Sequence, residues 1–211
     1  MRVFFAILLA CNTVWAQTTK FETAEYQAGR FASTVNASSA YNRGYTGLGS
    51  RILIIDTGIN TASPEFANRI AASIDYTGTG IRDTVGHGSN VASIAAAARD
   101  GTGMQGIGYD STLLIAKVTN NTSYSFQNAL KAIQWGGTQG AIVANISANE
   151  ILSASYVKYT TQIAPGVFRN TDPVYGGANY YNLIRPTDWA AALRGNNIVV
   201  VVAAGNSGRA Y

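Results

Sequence analysis

One cysteine and one histidine occur in 211 residues. The single Cys11 excludes an intrachain disulfide framework and a cysteine-based zinc site, and the single His87 excludes multi-histidine metal motifs. Charge is scarce: Asp, Glu, Lys and Arg make up 12% of the chain, 15 basic against 11 acidic residues, for a formal charge of +4. A disordered or coiled-coil chain needs far more charge or heptad patterning. The basic residues stand singly, without the massed run that meets a phosphate backbone, so no nucleic-acid partner is expected. No apolar stretch approaches the ~20 residues that cross a bilayer. Against four prolines stand 22 glycines and a hydrophobic fraction of 47%. A Gly-rich α/β domain with a real core, or most of a larger one, is what remains.

The first residues read as an export signal over 1–16. Met1-Arg2 precedes the short apolar run Val3 to Ala10, and Val14-Trp15-Ala16 puts small residues at −3 and −1 of a cleavage site before Gln17. Two other readings stand beside it. Leu8-Leu9-Ala10-Cys11 resembles a lipobox, which would make Cys11 an acylated residue behind a very short leader, and the run could also stay uncleaved as a buried strand. Ordinary cleavage implies an exported protein (secreted, periplasmic or at the cell surface) whose mature chain has no cysteine.

Residues 17–50 form a polar lead-in, with a short helix expected within Glu22 to Ala32 and Gly-rich linking structure over 40–49. Arg51 to Ile55 is a continuous aliphatic run ending at Asp56-Thr57-Gly58, the pattern of a buried parallel strand meeting a loop. Apolar positions 91, 94, 95 and 98 predict a helix over 88–98, and Thr112 to Val118 a second strand. A helix is expected over 125–135, with Phe126, Leu130 and Ile133 on one side and Gly136-Gly137 as its stop. Strands are expected at 141–147 and 197–203, an irregular surface excursion over 150–186, and a short helix from Thr187 or Asp188 to Leu193. Strands alternating with helices imply a mostly parallel sheet covered on both faces.

In such sheets the site lies beyond the carboxyl ends of the strands. Asp56 stands at one such end, although a strand-end Asp by itself is more often a loop or capping residue. The only histidine enters a small-residue helix in Asp83-Thr-Val-Gly-His87-Gly-Ser-Asn-Val-Ala-Ser-Ile-Ala-Ala96, where Gly86 and Gly88 let a backbone or substrate come close. A lone histidine is more often structural than catalytic. Val200-Val-Val-Ala-Ala-Gly205-Asn206-Ser-Gly208 delivers an Asn into a Gly-bounded turn, usually a turn former. Each signal is modest, but their order and context together are specific.

With these motifs in place, the chain resembles the subtilisin-like serine proteases (peptidase family S8). Ile54-Ile-Asp56-Thr-Gly-Ile59, Gly86-His87-Gly-Ser-Asn-Val-Ala92, Asp83 ahead of His87, Asp100-Gly-Thr-Gly-Met-Gln-Gly-Ile107 and Ala203-Ala-Gly-Asn206-Ser-Gly208 all fit the family pattern. Ala40 to Gly47 looks most like the secreted, autotransporter-type bacterial branch. The resemblance implies a three-layer α/β fold with a mostly parallel sheet, incomplete at its C-terminal end, and a serine endopeptidase that acts on polypeptides without a cofactor. It implies that Asp56 orients His87, that His87 acts as general base and then acid, and that Asn206 donates to the oxyanion. Ser147, Ala148 and Asn149 would line the peptide-binding cleft, where substrate adds as a strand.

Departures from the pattern bear on the site. Asn90 stands where many members carry a second histidine, Ser89 where they carry threonine, and Asn149 where a glycine is expected. No Gly-Thr-Ser-like turn opening an apolar helix is present, and Ser73, Ser89, Ser93 and Ser111 lack that setting. Residues 51–211 are therefore expected to be the N-terminal portion of a peptidase domain whose nucleophile lies further on, with a possible downstream domain. The alternative is an inactive peptide-binding remnant of the same fold. A dinucleotide site at Gly101-Thr-Gly103-Met-Gln-Gly106 fails on context, because the turn follows a helix and precedes a strand. Glu150, Asp172 and Asp188 lack calcium-ligand spacing, and no metal site is expected. The matches to Asn-x-Ser/Thr at Asn36, Asn120, Asn121 and Asn145 are short enough to arise by chance.

Overall fold

The architecture comes from a computed structural model, which describes residues 20–120, 125–147, 161–164, 167–169 and 195–203. Five strands make one parallel sheet: β1 (Arg51–Asp56), β2 (Ile70–Asp75), β3 (Thr112–Lys117), β4 (Val143–Ile146) and β7 (Val199–Val202), in the order β2-β3-β1-β4-β7. β5 (Thr161–Ala164) and β6 (Val167–Arg169) form a separate antiparallel pair. Three short helices, α1 (Ala24–Ala28), α2 (Phe31–Thr34) and α3 (Ala37–Tyr41), precede the sheet; α4 (His87–Ala96) and α5 (Phe126–Thr138) cover its two faces.

The aliphatic runs are strands because helices flank them on both sides. In β1, Leu53 and Ile55 face α5, packing with Leu114, Ala116, Ala129, Ala132 and Ile133. Ile54 faces α4, packing with Leu113, Ile115, Ala92 and Ala96. Alanines on α4 let that helix sit close to the sheet, as its small-residue composition predicts. The register carries the α4 side outward from Ile52 and Ile54 through Val143 and Asn145 to Val199 and Val201. There no described element covers it: Val199 and Val201 are 63% and 49% exposed.

Several expectations need correction. The helix expected within Glu22 to Ala32 is broken, and α1 to α3 extend into the stretch expected to be linking structure. Arg30 and Asn36 adopt positive φ at the breaks, and Tyr26, Ala32, Ala37 and Tyr41 pack with Tyr109 in a core of their own. β2 was not anticipated. Its alternation of Ile, Ala and Ser gives a half-buried edge strand with little hydrophobic signal. Gly136-Gly137 does not stop α5, which runs to Thr138. A side chain at Gly136 would overlap Leu53, and one at Gly137 would overlap Asn196, so these glycines permit close approach to the sheet side of the fold. The turn-forming glycine is Gly140, at φ +73. Within the excursion over 150–186, β5 and β6 are regular structure. The remainder of that stretch, the helix at 187–193, Glu150, Asp172 and Asp188 lie outside the described residues, as does the leader with Cys11.

Candidate active site

β1 ends at Asp56 and α4 begins at His87, so the parallel sheet puts the acid at a strand's carboxyl end and the imidazole at a helix's first turn. His87 Nδ1 lies 2.8 Å from Asp56 Oδ1. The same oxygen accepts the Thr57 backbone N–H at 2.7 Å. The Asp56 side chain is 4% exposed and that of His87 50%, so a buried carboxylate backs a ring that reaches solvent. With Nδ1 committed to the carboxylate, Nε2 is the ring atom left to take or give a proton.

Both glycines beside His87 are needed, for different reasons. Gly86 caps α4 at φ +89, a backbone state that L side chains rarely adopt. A Cβ at Gly86 would meet no atom of this chain within 4 Å, so Gly86 serves no close backbone approach within the fold. Gly88 does serve it: a Cβ there would overlap the Gly58 carbonyl oxygen and press on Asp56.

Two further groups support the pair: Asp83, placed in the sequence motif ahead of His87 but given no role there, and Lys117, which sequence reasoning did not single out. Asp83 accepts hydrogen bonds from Thr57 Oγ1 (2.9 Å), the backbone N–H groups of Val85 (3.0 Å), Gly86 (2.8 Å) and Ser89 (2.8 Å), and Ser89 Oγ (2.6 Å). An Asp three residues ahead of a Gly that caps a helix is the local signal for this capping role. Lys117, buried in β3 beside Asp56, donates from Nζ to the Arg82 carbonyl at 2.6 Å and anchors the same loop. Burial by itself raises the Asp83 carboxyl, but the hydrogen bonds from Ser89, Gly86 and Thr57 outweigh it and hold the group down to about 2.

A depressed carboxyl favours the fold while it is ionised. The Asp83 contribution, on the order of 1–2 kcal/mol after allowance for solvent screening, is therefore present above the ordinary aspartate value and disappears as pH falls through about 2. Denaturant unfolding between pH 2 and 5 checks this: Asp83→Asn should flatten the acid-side decline seen with the parent chain.

The remaining expected site residues divide. Ser147 follows β4 at its carboxyl end, next to β1, and its Oγ accepts from Asn145 Nδ2 at 2.8 Å. Ala148, Asn149 and Asn206 lie outside the described residues. Asn90 is exposed on α4, and Ser89 Oγ also accepts the Asn60 N–H at 2.9 Å. The glycine stretch 101–106 joins α4 to β3, with the Gly101 and Met104 N–H groups donating to Glu25 and Glu65. That leaves no helix N-terminus for a dinucleotide.

The model of the subtilase family, Peptidase_S8, matches residues 47–210. Among known proteins, the chain is 35% identical over 116 residues to Subtilisin Savinase of Lederbergia lenta, covering 54% of this chain and 43% of that protein. It has the same identity over 116 residues to an alkaline protease of Alkalihalobacillus alcalophilus, covering 54% of this chain and 30% of that one. An extracellular serine protease of Serratia marcescens is 33% identical over 129 residues, 55% of this chain and 12% of that protein. The chain thus spans less than half the length of these relatives.

Proposed function

The chain belongs to the subtilase family, and we propose on that premise that it carries the acid and base of a serine endopeptidase. The observation that carries this reading is the 2.8 Å bond between His87 Nδ1 and the buried Asp56 carboxylate at the mouth of the parallel sheet. Asp56 keeps the proton on Nδ1 and stabilises the imidazolium. His87 Nε2 takes the proton of a serine hydroxyl as that oxygen attacks the scissile carbonyl, then gives it to the departing amine. The Asn206 amide donates to the oxygen of the tetrahedral intermediate. Ser147, Ala148 and Asn149 hold an extended polypeptide substrate as an added strand.

No serine among these 211 residues stands in a Gly-Thr-Ser turn opening an apolar helix. We therefore assign the nucleophile to polypeptide outside them. An apolar helix carrying it would cover Val199 and Val201, exposed on the same side of the sheet as α4. The test is a fluorophosphonate probe applied to the protein expressed from its complete reading frame. Labelling that His87→Ala abolishes supports the endopeptidase; a folded protein that takes no label is instead a peptide-binding remnant.

Residues 1–16 act in this proposal as an export signal. Among the described residues no helix is long and apolar enough to cross a membrane. The packed lead-in starts at Phe21, which is buried, so cleavage after Ala16 removes none of the described core. N-terminal sequencing of the exported protein should begin at Gln17; an acylated Cys11 would instead mark a lipoprotein.

A further inference from the structure

We propose that Asp83 is a positioning residue: its carboxylate, through Thr57, sets the spacing between the loop that carries Asp56 and the first turn of the helix that carries His87. The inference rests on the reading of Asp56 and His87 as a proton-transfer pair.

Five donors converge on this one side chain, one from the distant loop that carries the acid and four from the segment 85–89 that follows Asp83 itself. Thr57 belongs to the acid's loop, Val85 and Gly86 to the turn before α4, and Ser89 to the first turn of α4. The Thr57 hydroxyl is used in both directions, donating to Asp83 and accepting the Gly88 N–H at 2.9 Å. The residue after the acid is thereby tied to the residue after the base, one position along each chain from the Asp56–His87 bond. Asp83 is itself held on the sheet's frame. Its N–H donates to the Ile59 carbonyl, Ile59 N–H donates to Ile81, and Lys117 holds Arg82.

Only a carboxylate satisfies this arrangement. Both of its oxygens are acceptors, and donors meet both. An asparagine would turn an NH2 either toward Thr57, Val85 and Gly86 or toward Ser89, setting donor against donor and releasing one side of the brace. A shift of about 1 Å between reacting groups costs about 10²-fold in rate, so a loosened brace is felt at His87 without any contact to substrate. Asp75 supplies the control. It accepts the Thr77 N–H and hydroxyl and the Gly80 N–H in the loop after β2, the same kind of cap without any bond to α4.

The experiment uses the full-length protein with 15N-labelled histidine, the His87 signals being those missing from His87→Ala. In Asp83→Asn the His87 Nδ1 proton should lose its protection and exchange with water. The kcat on a chromogenic peptide anilide should fall about 10- to 100-fold while KM stays within twofold. Asp75→Asn should leave the proton and kcat unchanged while lowering thermal stability. An unaltered Nδ1 proton and kcat in Asp83→Asn, or equal losses in Asp75→Asn, would overturn the proposal. Should Asp83→Asn fail to fold, Thr57→Val removes both hydroxyl bonds of the brace, to Asp83 and from Gly88, and Thr57→Ser keeps them. Loss with Val and retention with Ser supports the brace; equal behaviour refutes it. The endopeptidase reading fails separately, if His87→Ala retains hydrolysis, whereas the Nδ1 signal reports the brace independently of turnover.

Discussion

Substituting His87 by alanine should lower kcat for peptide amide hydrolysis by about 10⁶-fold, and Asp56→Asn should lower it by about 10⁴-fold. The two losses differ because the groups do different work. In the proposed mechanism His87 carries the proton, and alanine leaves no imidazole to take it. Asp56 is proposed to act on the ring: its buried carboxylate lies 2.8 Å from Nδ1, where it holds the proton on that atom and opposes the charge that forms when Nε2 takes another. An amide at that position keeps an acceptor for the Thr57 N–H but brings no negative charge, and its NH2 can enforce the wrong tautomer. His87 is half exposed, so its removal should cost little stability and activity can be separated from folding. Steady-state kinetics on variants with matching circular dichroism would decide. A His87→Ala protein retaining more than about one hundredth of the parent kcat would sink the general-base assignment.

Gly88→Ala should lower thermal stability and turnover together. Its φ is ordinary, so the difficulty is space rather than backbone strain. The added methyl would overlap the Gly58 carbonyl oxygen and come within 3.1 Å of the Gly58 nitrogen and Asp56 Cβ. Two of these are backbone atoms of the acid's own loop, which cannot rotate away as a flexible side chain would. Either α4 slides outward or residues 57–59 are displaced, and both routes stretch the bond from Gly88 N–H to Thr57 Oγ1. Overpacking of this kind costs about 1–3 kcal/mol, and a displacement of about 1 Å between His87 and Asp56 costs about 10²-fold in kcat. Gly80→Ala is the comparison: that glycine sits at φ +79 with open space around it, so its substitution strains the backbone without moving the pair. Thermal melts and kcat for the two variants give the answer. A Gly88→Ala protein with unchanged melting temperature and full turnover would show that the contact is not limiting.

The elements legible in the chain were those whose burial leaves a strong pattern. β1, β3 and β7 carry continuous aliphatic runs, and β4 one broken only by Asn145, because they belong to the same parallel sheet. α4 was legible from apolar residues at helical spacing, although the residues it buries against the sheet are Ala92 and Ala96 rather than Ile94, which is exposed. β2 stayed hidden because an edge strand needs only every second residue to be apolar, and Ala and Ser satisfy that weakly. Gly136-Gly137 misled because glycine serves two ends, stopping a helix or letting it approach a neighbour closely. Only the packing of Gly136 against Leu53 distinguishes them.

The candidate site divides along the same line. Asp56, His87, Gly88 and the family's order of motifs are local facts, readable from residue types and their neighbours, and they suffice to identify the family and the chemistry it implies. That Asp56 and His87, 31 residues apart, meet at 2.8 Å was decided by the parallel sheet and the helix packed upon it. So was the bond between Asp83 and Thr57, 26 residues away, whereas the other four donors to Asp83 lie within residues 85–89 and are local. Sequence proximity governs backbone periodicity and turn chemistry. The meeting of Asp56 with His87, and of Thr57 with Asp83, depends on where distant segments come to rest, and that is set by the burial of the two faces of the sheet.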